Sequence, residues 1–253
     1  MKGLIKGLLR RAGYQLTRIT NSEIDPAVAG LDDLTDRERE IIRMSSPFTM
    51  TGPARLAAVV EAVKYLVRHR VPGDLAECGV WRGGSMMVAA ATLLELGDTS
   101  RHLFLFDTFE GMSEPTKRDC DLQGNSASEL LKRDLPGTGI WACASLDEVK
   151  KNLQSTGYPY DKIVFVKGRV EETIPKNAPE RLALLRLDTD WYESTSHELS
   201  HLYPRLSRHG VLIVDDYGHW QGARQAVDEF LTTLPEPAFL HRTDYTGRMK
   251  IKP

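Results

Sequence analysis

Residues 74–85 read DLAECGVWRGGS, a short apolar run that leads into a glycine-rich turn, and a helical pattern starts directly after it. Four more apolar runs of this kind follow along the chain, at residues 102–107 (HLFLFD), 162–168 (KIVFVKG), 182–190 (LALLRLDTD) and 210–216 (GVLIVDD). Runs of this length that are nearly continuous in apolar residues are typical of strands buried on both faces of a parallel sheet.

Helical patterns alternate with these predicted strands. They lie at residues 54–68, 85–96, 146–152, 196–206 and 223–232. Strands that alternate with helices predict an α/β fold with a doubly wound, mostly parallel sheet. Residues 238–252 carry shorter alternating stretches around Thr246 and Gly247, which predict a C-terminal hairpin at the edge of the sheet. We interpret residues 51–253 as one domain and residues 1–50 as an N-terminal helical extension or lid.

The composition excludes several classes of protein. The chain has 253 residues, of which 41% are hydrophobic and 27% charged, as in soluble globular proteins and unlike disordered, collagen-like or coiled-coil chains. Its 33 Lys and Arg against 35 Asp and Glu give a net charge of −2, so it lacks the basic excess of nucleic-acid binders. No apolar run approaches the roughly 20 residues that span a bilayer. The three cysteines lack metal-binding spacing, so we expect no disulfide framework and a cytoplasmic location.

The first residues, MKGLIKGLL, are basic and then apolar, but no small-residue cleavage site follows them, so we do not interpret them as a secretion signal. Ile5, Leu8, Leu9 and Ala12 have the spacing of one helix face, which predicts a short amphipathic basic helix. Such a helix can lie on a membrane surface. We favour packing on the domain itself or on another subunit, and we expect a homo-oligomer.

The ends of the predicted strands carry the candidate site, because ligands of open α/β sheets bind outside the carboxyl ends of the strands. The first strand leads through Glu77 and Gly79 into the turn at residues 82–85, where a helix begins. A helix N-terminus donates N–H groups to a carboxylate, and an acid beside it can accept from an ammonium group. This combination suits a zwitterion such as the amino-acid end of S-adenosylmethionine. The dinucleotide fingerprint G-x-G-x-x-G is absent, and an ordinary glycine-rich turn is the alternative.

The second predicted strand ends in Asp107, one strand–helix–strand step after Glu77. A carboxylate at this strand end commonly accepts hydrogen bonds from both ribose hydroxyls of a nucleoside. Asp is also frequent in helix and turn caps, which is the alternative. Together with the first turn, Asp107 favours a nucleoside ligand.

Four carboxylates follow the fourth and fifth predicted strands, with Asp188 and Asp190 in one pair and Asp215 and Asp216 in the other. If the two strands are neighbours, these acids repel one another unless a cation neutralises them. Oxygen ligands favour a hard ion such as Mg²⁺. Solvated loop acids are the alternative, which we disfavour because an apolar run directly precedes each pair.

Residues 197–201, HELSH, match the zinc-binding motif H-E-x-x-H. The leucines of the segment lie on one helix face, which places His197 and His201 on the opposite side, toward solvent or a partner. The glutamate has another explanation, because TSHE at residues 195–198 has the spacing of a capping box. We therefore do not interpret the segment as the zinc site of a protease.

Five sequence blocks occur in a fixed order along the chain. They are residues 47–51 (PFTMT), 77–84 (ECGVWRGG), 106–111 (FDTFEG), 186–195 (RLDTDWYEST) and 215–217 (DDY). In this order they resemble the macrocin O-methyltransferase family, over residues 47–230. The resemblance implies a Rossmann-like class I methyltransferase fold. It also implies the use of S-adenosylmethionine and Mg²⁺ to methylate sugar hydroxyls of antibiotic glycosides.

The resemblance further assigns residues to the candidate site. The cofactor-binding residues that it implies are Met50, Thr51, Glu77, Gly79, Arg82, Gly83, Gly84, Ser85, Asp107, Thr108, Phe109, Glu110, Gly168, Val170 and Glu171. Among these, Met50 and Thr51 would close over the cofactor, and residues 168–171 would border the adenine. The metal ligands that it implies are Asp188, Asp215 and Asp216, and Asp190 resembles the general base of the family.

The chemistry follows from the weakness of a sugar hydroxyl as a nucleophile, because its proton must leave as the new bond forms. Mg²⁺ chelated by neighbouring oxygens lowers the pKa of the hydroxyl, and a carboxylate accepts the proton. Three alternatives stay open. They are a glycosyltransferase that uses residues 188–190 as a D-x-D motif, a methyltransferase of a non-sugar diol such as a catechol, and a nucleoside-binding regulator without turnover.

Overall fold

The computed structural model describes residues 25–133, 141–235 and 237–253. Its helices are α1 (Asp36–Ser45), α2 (Pro53–Arg68), α3 (Gly84–Glu95), α4 (Ala127–Arg133), α5 (Leu146–Gln154), α6 (Val170–Thr173), α7 (Tyr192–Leu202) and α8 (Gln221–Thr232). Its strands are β1 (Asp74–Cys78), β2 (Leu103–Asp107), β3 (Ile163–Lys167), β4 (Leu182–Leu187), β5 (Leu206–Val214), β6 (His241–Arg242) and β7 (Arg248–Ile251).

The described strands form one seven-stranded sheet with the order β3-β2-β1-β4-β5-β7-β6. Strands β1 to β5 pair in parallel, and β7 pairs antiparallel with both β5 and β6. The chain runs outward from β1 to β3 and then returns to place β4 on the other side of β1. The strand order therefore reverses between β1 and β4, which is where such sheets bind ligands. The predicted doubly wound, mostly parallel sheet and its C-terminal hairpin are confirmed.

Alternate strand residues contribute to two apolar layers, one on each face of the sheet. Leu75 and Leu184 join the layer built with α1, α2, α3 and α5. Ala76, Phe106 and Leu185 join the layer built with α6, α7 and α8. Because both faces are covered, the central strands are mostly apolar, with Glu77 and Arg186 as buried exceptions, and this is the pattern by which the sequence predicts them.

Two strand boundaries differ from the prediction in ways that affect the site. Strand β4 ends at Leu187 rather than at residue 190, so Asp188 and Asp190 lie on the loop that follows it. Strand β5 spans Leu206–Val214 rather than residues 210–216, so Asp215 and Asp216 also lie just beyond a strand end.

Helix α7 also differs from the prediction. It begins at Tyr192 and ends at Leu202, where residues 196–206 were expected. Its N-cap is Trp191, which makes no side-chain capping hydrogen bond, so the predicted capping box at residues 195–198 is wrong. Instead, Oδ1 of the buried Asp119 accepts a hydrogen bond of 2.7 Å from the backbone N–H of Tyr192. This cap comes from a distant part of the chain, which local spacing cannot reveal.

The described part of the N-terminal extension packs onto the domain. Helix α1 begins with a capping box formed by Thr35 and Glu38, and its Ile41 and Ile42 join the apolar layer of α2 and α3. The predicted amphipathic helix around Ile5 lies outside the described residues, and the division of the chain at residue 50 stays a prediction. In the part of the chain that the structure describes, no helix is long and apolar enough to cross a membrane.

Candidate active site

Acidic residues meet where the strand order reverses. The backbone N–H of Asp188 donates to the carbonyl of Cys78 (2.8 Å), and that of Asp215 donates to the carbonyl of Leu187 (2.9 Å). These bonds continue the sheet ladder past the strand ends and fix the start of each loop. As a result, Asp188, Asp190, Asp215 and Asp216 line one cleft, as their positions after neighbouring strands predict.

Gly79 lets the end of β1 approach the end of β4 closely. Its φ is +79°, and a Cβ at this position would overlap the carbonyl oxygen of Asp188. A larger residue would therefore displace the loop that carries Asp188. The glycine that the sequence places after Glu77 is thus required by the geometry of the acid cluster as well as by its own turn.

Three of the acids could hold a metal ion. Asp188, Asp215 and Asp216 each offer a carboxylate oxygen, and these oxygens lie within 4.8 Å of one another. No other described His, Cys, Asp and Glu residues form such a group of three or more. Mg²⁺ prefers oxygen ligands and is commonly held by a few carboxylates. The donor set therefore fits the predicted ion.

Arg186 lies under the cluster and is itself buried in β4. Its Nη1 binds Glu77 Oε1 (2.5 Å) and Asp188 Oδ2 (2.6 Å). Its Nη2 binds Asp215 Oδ1 (2.5 Å) and the hydroxyl of Thr51 (2.9 Å). Burial lowers the pKa of Arg186, but the charges of Asp188 and Glu77 outweigh this effect and raise it. The guanidinium is therefore permanently charged. It partly neutralises the acids for which the sequence analysis predicts a metal ion as the only neutralising cation.

Arg55, in the first turn of α2, is a second cation at the cluster. Its Nη1 contacts Asp215 Oδ2, and its Nε lies 3.1 Å from Asp244 Oδ2 in the loop between β6 and β7. Arg55 lines the same cleft as the four acids. The acids are thus held by two arginines, neither of which the sequence analysis identifies.

Glu77 lies in this cleft with one carboxylate oxygen unused. Oε1 accepts from Arg186, whereas Oε2 is buried and has no hydrogen-bond partner. Burial, partly offset by the charge of Arg186, raises the pKa of Glu77 to about 8. A buried acceptor without a donor is unfavourable, and an ammonium group in the cleft would supply the donor. The orphaned oxygen therefore fits the amino group predicted for this position.

Asp190 and Asp216 face each other in the cleft. Burial raises the pKa of both carboxyl groups, and the charge of Asp190 raises the pKa of Asp216 further. Because both carboxyl groups share this shift, it does not distinguish a base from a metal ligand, and the role of Asp190 stays a prediction.

A second cavity adjoins the cleft and shares Trp81 with it. The predicted cofactor residues that line it are Gly79, Asp107, Thr108, Gly168, Val170 and Glu171. Those that line the acidic cleft are Met50, Thr51, Glu77 and Ser85. The structure thus divides the predicted residues between two cavities that meet at Trp81, and the binding of a nucleoside in one and of an amino-acid end in the other stays a prediction.

Asp107 is already engaged by the backbone. Its Oδ2 accepts from the N–H groups of Val80 (2.6 Å) and Trp81 (3.0 Å), and its Oδ1 accepts from that of Phe109 (2.7 Å). Burial raises the pKa of Asp107, and these three hydrogen bonds oppose the rise. The residue therefore holds the two glycine-bearing turns together, in addition to any contact with a ribose.

Other predicted cofactor residues lie outside both cavities. Arg82 pairs with Glu148 (2.6 Å), and Glu110 pairs with Lys167 (2.5 Å). Phe109 is buried in the apolar layer. Gly83 has φ +90° and Gly84 approaches the backbone of residue 48, so both serve the turn into α3.

The H-E-x-x-H segment does not assemble a metal site. A ring nitrogen of His197 bonds the carbonyl of Ile174 (3.0 Å), and Nδ1 of His201 bonds the carbonyl of His197 (2.8 Å). Glu198 lies on the buried side of α7 and accepts from the hydroxyl of Thr189 (3.0 Å). Both histidines are half-buried rather than fully exposed.

Several residues of the cleft were not predicted from the sequence. Those that line the cleft are Arg55, His219, Trp220, Tyr245 and Thr246, and Arg186 binds the acids from beneath it. Arg186 has a visible signal, because a charged residue inside a buried apolar strand needs charged partners. The others come from distant elements and carry no local pattern.

The sequence is similar to proteins whose reactions are named. Residues 16–249 match the family described as Macrocin-O-methyltransferase (TylF). The chain is 37% identical over 235 residues to the 8-demethyl-8-(2,3-dimethoxy-alpha-L-rhamnosyl)-tetracenomycin-C 4'-O-methyltransferase of Streptomyces olivaceus, which covers 91% of this chain and 82% of the relative. It is 36% identical over 184 residues to the Mycinamicin III 3''-O-methyltransferase of Micromonospora griseorubida, which covers 72% of this chain and 69% of the relative.

Solved structures agree with these matches. The O-methyltransferase NovP is 30% identical with a TM-score of 0.71, over 81% of this chain and 82% of that chain. The calicheamicin methyltransferase CalS11 is 19% identical with a TM-score of 0.62, over 96% of both chains, and shows the shared fold. The predicted Rossmann-like class I methyltransferase fold is confirmed.

Proposed function

Because the chain belongs to the macrocin O-methyltransferase family and is therefore a methyltransferase, we propose that it methylates a sugar hydroxyl of a glycosylated natural product, with S-adenosylmethionine as donor and Mg²⁺ at the acid cluster. One observation carries the proposal. The unused oxygen of Glu77 and the three acids Asp188, Asp215 and Asp216 line a single cleft, so a methyl donor and a metal would lie side by side.

The chain's own groups account for binding of the donor. Glu77 Oε2 would accept from its amino group, and the N-terminus of α3, where Ser85 lines the cleft and the N-cap makes no side-chain hydrogen bond, would receive its carboxylate. The cavity around Asp107 and Thr108 receives the nucleoside. The two ends of the donor are thus held on either side of Trp81, which places the methyl group toward the acidic cleft.

The four acids have two proposed roles, metal binding and proton acceptance. Asp188, Asp215 and Asp216 would hold Mg²⁺, whose positive charge would lower the pKa of a nearby sugar hydroxyl. Asp190, in the same cleft, accepts the proton of that hydroxyl. Arg186 binds both Glu77 and Asp188, so it fixes the donor site relative to the ligand set. Fixed positioning of two reactants supplies a large part of the rate enhancement in such transfers.

The experiment that tests the acceptor class compares three acceptor sets under identical conditions, with S-adenosylmethionine and Mg²⁺ present. One set contains deoxysugar glycosides, the second their aglycones, and the third catechols. We expect a mass gain of one methylene on the sugar fragment of a glycoside, and none on the aglycones. Methylation of catechols alone would contradict the sugar acceptor and favour the non-sugar diol alternative. The glycosyltransferase and regulator alternatives do not apply to a member of a methyltransferase family.

A further inference from the structure

Asp215 differs from the other two acids of the proposed metal site in the number of arginine contacts that its carboxylate makes. Arg186 Nη2 binds its Oδ1 at 2.5 Å, and Arg55 Nη1 contacts its Oδ2. Both carboxylate oxygens of Asp215 are therefore held by guanidinium groups. Its side chain is 3% exposed, so solvent does not weaken these pairs.

Arg55 has a second acid within reach. Asp244 Oδ2 lies 3.1 Å from Arg55 Nε, and the side chain of Arg55 is 13% exposed. Asp244 is itself fixed, because its Oδ1 accepts from the N–H groups of Thr246 (2.9 Å) and Gly247 (2.6 Å). The guanidinium thus bridges a metal-site acid and an acid of the loop between β6 and β7.

The second arginine of the cluster, Arg186, has no alternative partner outside the cluster to which it could move. Arg186 is 3% exposed and binds Glu77, Asp188 and Asp215 at once, so it cannot leave one without losing its place among the others. A divalent cation that takes an oxygen of Asp215 would therefore have to displace Arg55. Two cations that share one carboxylate oxygen at this burial repel each other strongly.

We propose that Arg55 competes with the divalent cation for Asp215, and that Asp244 holds its guanidinium when the cation binds. The inference rests on the proposed metal site. Arg55 is then a positioning residue that stabilises the acid cluster without metal and weakens metal binding. Asp244 offsets this weakening, because it offers the displaced guanidinium a fixed partner.

The test is calorimetric titration of the full chain with Mg²⁺ alone, without donor or acceptor. Arg55→Met removes the charge and keeps an apolar stem against Gly247, and we expect it to bind Mg²⁺ roughly tenfold more tightly than the wild type. Asp244→Asn removes the second partner, and we expect weaker binding. In the Arg55→Met background, Asp244→Asn should have almost no effect, because Asp244 acts through Arg55.

The matched control is Arg224→Met, which removes one positive charge from α8, where Arg224 pairs with Asp228. It should leave Mg²⁺ affinity unchanged. Binding of S-adenosylhomocysteine to each variant checks that the fold is intact. If the wild type binds Mg²⁺ and Arg55→Met binds it equally or less tightly, the competition is refuted while the metal site stands. If neither binds Mg²⁺, both the metal site and the competition fail.

Discussion

At the scale of single residues, Arg186 connects the parts of the site that the proposed reaction needs together. Its guanidinium binds Glu77 on the donor side and Asp188 and Asp215 on the metal side. Because Arg186 is buried in a central strand, these acids all contact one side chain whose position the sheet fixes. Binding of the donor and the orientation of the metal ligands are therefore linked through one side chain.

The orphaned oxygen of Glu77 leads to a prediction for cofactor binding. Glu77→Gln keeps an oxygen for Arg186, but it removes the carboxyl group that would lose its proton and become negatively charged on pairing with the donor's ammonium group. Hydrogen bonds to charged groups contribute about 1.5–3 kcal/mol, so we expect affinity for S-adenosylhomocysteine to fall roughly 10- to 100-fold. Calorimetry measures the change. The control is Glu61→Gln, which alters an exposed acid of α2 paired with Lys64. An unchanged affinity in Glu77→Gln would show that the amino group binds elsewhere.

The acid cluster gives a second prediction, which separates the base from the ligands. Asp190→Asn should lower kcat by a factor on the order of 10²–10⁴ and leave Mg²⁺ affinity nearly unchanged, because it removes a proton acceptor. Asp188→Asn should instead raise the Mg²⁺ concentration needed for activity. Kinetics at several Mg²⁺ concentrations, with titration of Mg²⁺ into each variant, provide the measurement. The assignment is reversed if Asp190→Asn loses the metal and Asp188→Asn keeps it.

The residues of the site were predictable to different degrees. The four acids follow apolar runs, so their convergence at neighbouring strand ends follows from the sequence. Arg55 was not predictable, because its contacts with Asp215 and Asp244 join α2 to distant parts of the chain. The sequence analysis therefore predicts that a metal ion alone neutralises the acids, whereas two arginines also contribute positive charge.

At the scale of elements, α7 shows how a tertiary contact can override a local signal. The capping-box spacing at residues 195–198 predicts a helix start that the structure does not have. Asp119 caps the N–H of Tyr192 instead, one turn earlier, and this places Thr195 and Glu198 inside the helix and buries them. Glu198, the glutamate of the H-E-x-x-H motif, therefore points into the protein interior.

The buried Glu198 yields a prediction for pH-dependent stability. One of its oxygens accepts from Thr189, whereas Oε2 has no hydrogen-bond partner. Burial raises the pKa of Glu198 well above its ordinary value. A carboxyl group whose pKa is higher in the folded state stabilises the fold fully below its unfolded pKa of about 4, and this stabilisation is lost as the pH rises. The wild type should therefore lose stability from this group between mildly acidic and neutral pH.

The variant Glu198→Gln should not lose folding stability in this way as the pH rises, because an amide does not ionise. We expect Glu198→Gln to be more stable than the wild type at pH 8, by about 2–4 °C in Tm for each kcal/mol gained, and the difference to shrink toward pH 4. Thermal unfolding followed by circular dichroism across this range measures it. The control is Glu193→Gln, an exposed acid on the same helix. A difference between Glu198→Gln and the wild type that does not vary with pH would refute ionisation as its cause.

At the scale of the whole molecule, the sequence predicts the sheet better than the parts that cover it. The five parallel strands are recognisable because burial on both faces makes most of each one apolar. Their order, with the reversal between β1 and β4, is known only from the structure, because alternating strands and helices are compatible with more than one doubly wound order. Helix α4 and helix α1 were not predicted individually, although each follows a residue with capping-box spacing, at residues 126–129 and 35–38.

The reversal between β1 and β4 brings Glu77, at the proposed donor-binding turn, and the acid cluster to one cleft, and our proposal of metal-assisted methyl transfer rests on this arrangement. The most direct test of that claim is the rate of methyl transfer to a glycoside acceptor during treatment with a chelator and subsequent addition of Mg²⁺. We predict that the chelator abolishes transfer and that Mg²⁺ restores it, while S-adenosylhomocysteine still binds to the chelator-treated protein. Full activity in the presence of the chelator would contradict the account, because the acids would then serve the reaction without a metal.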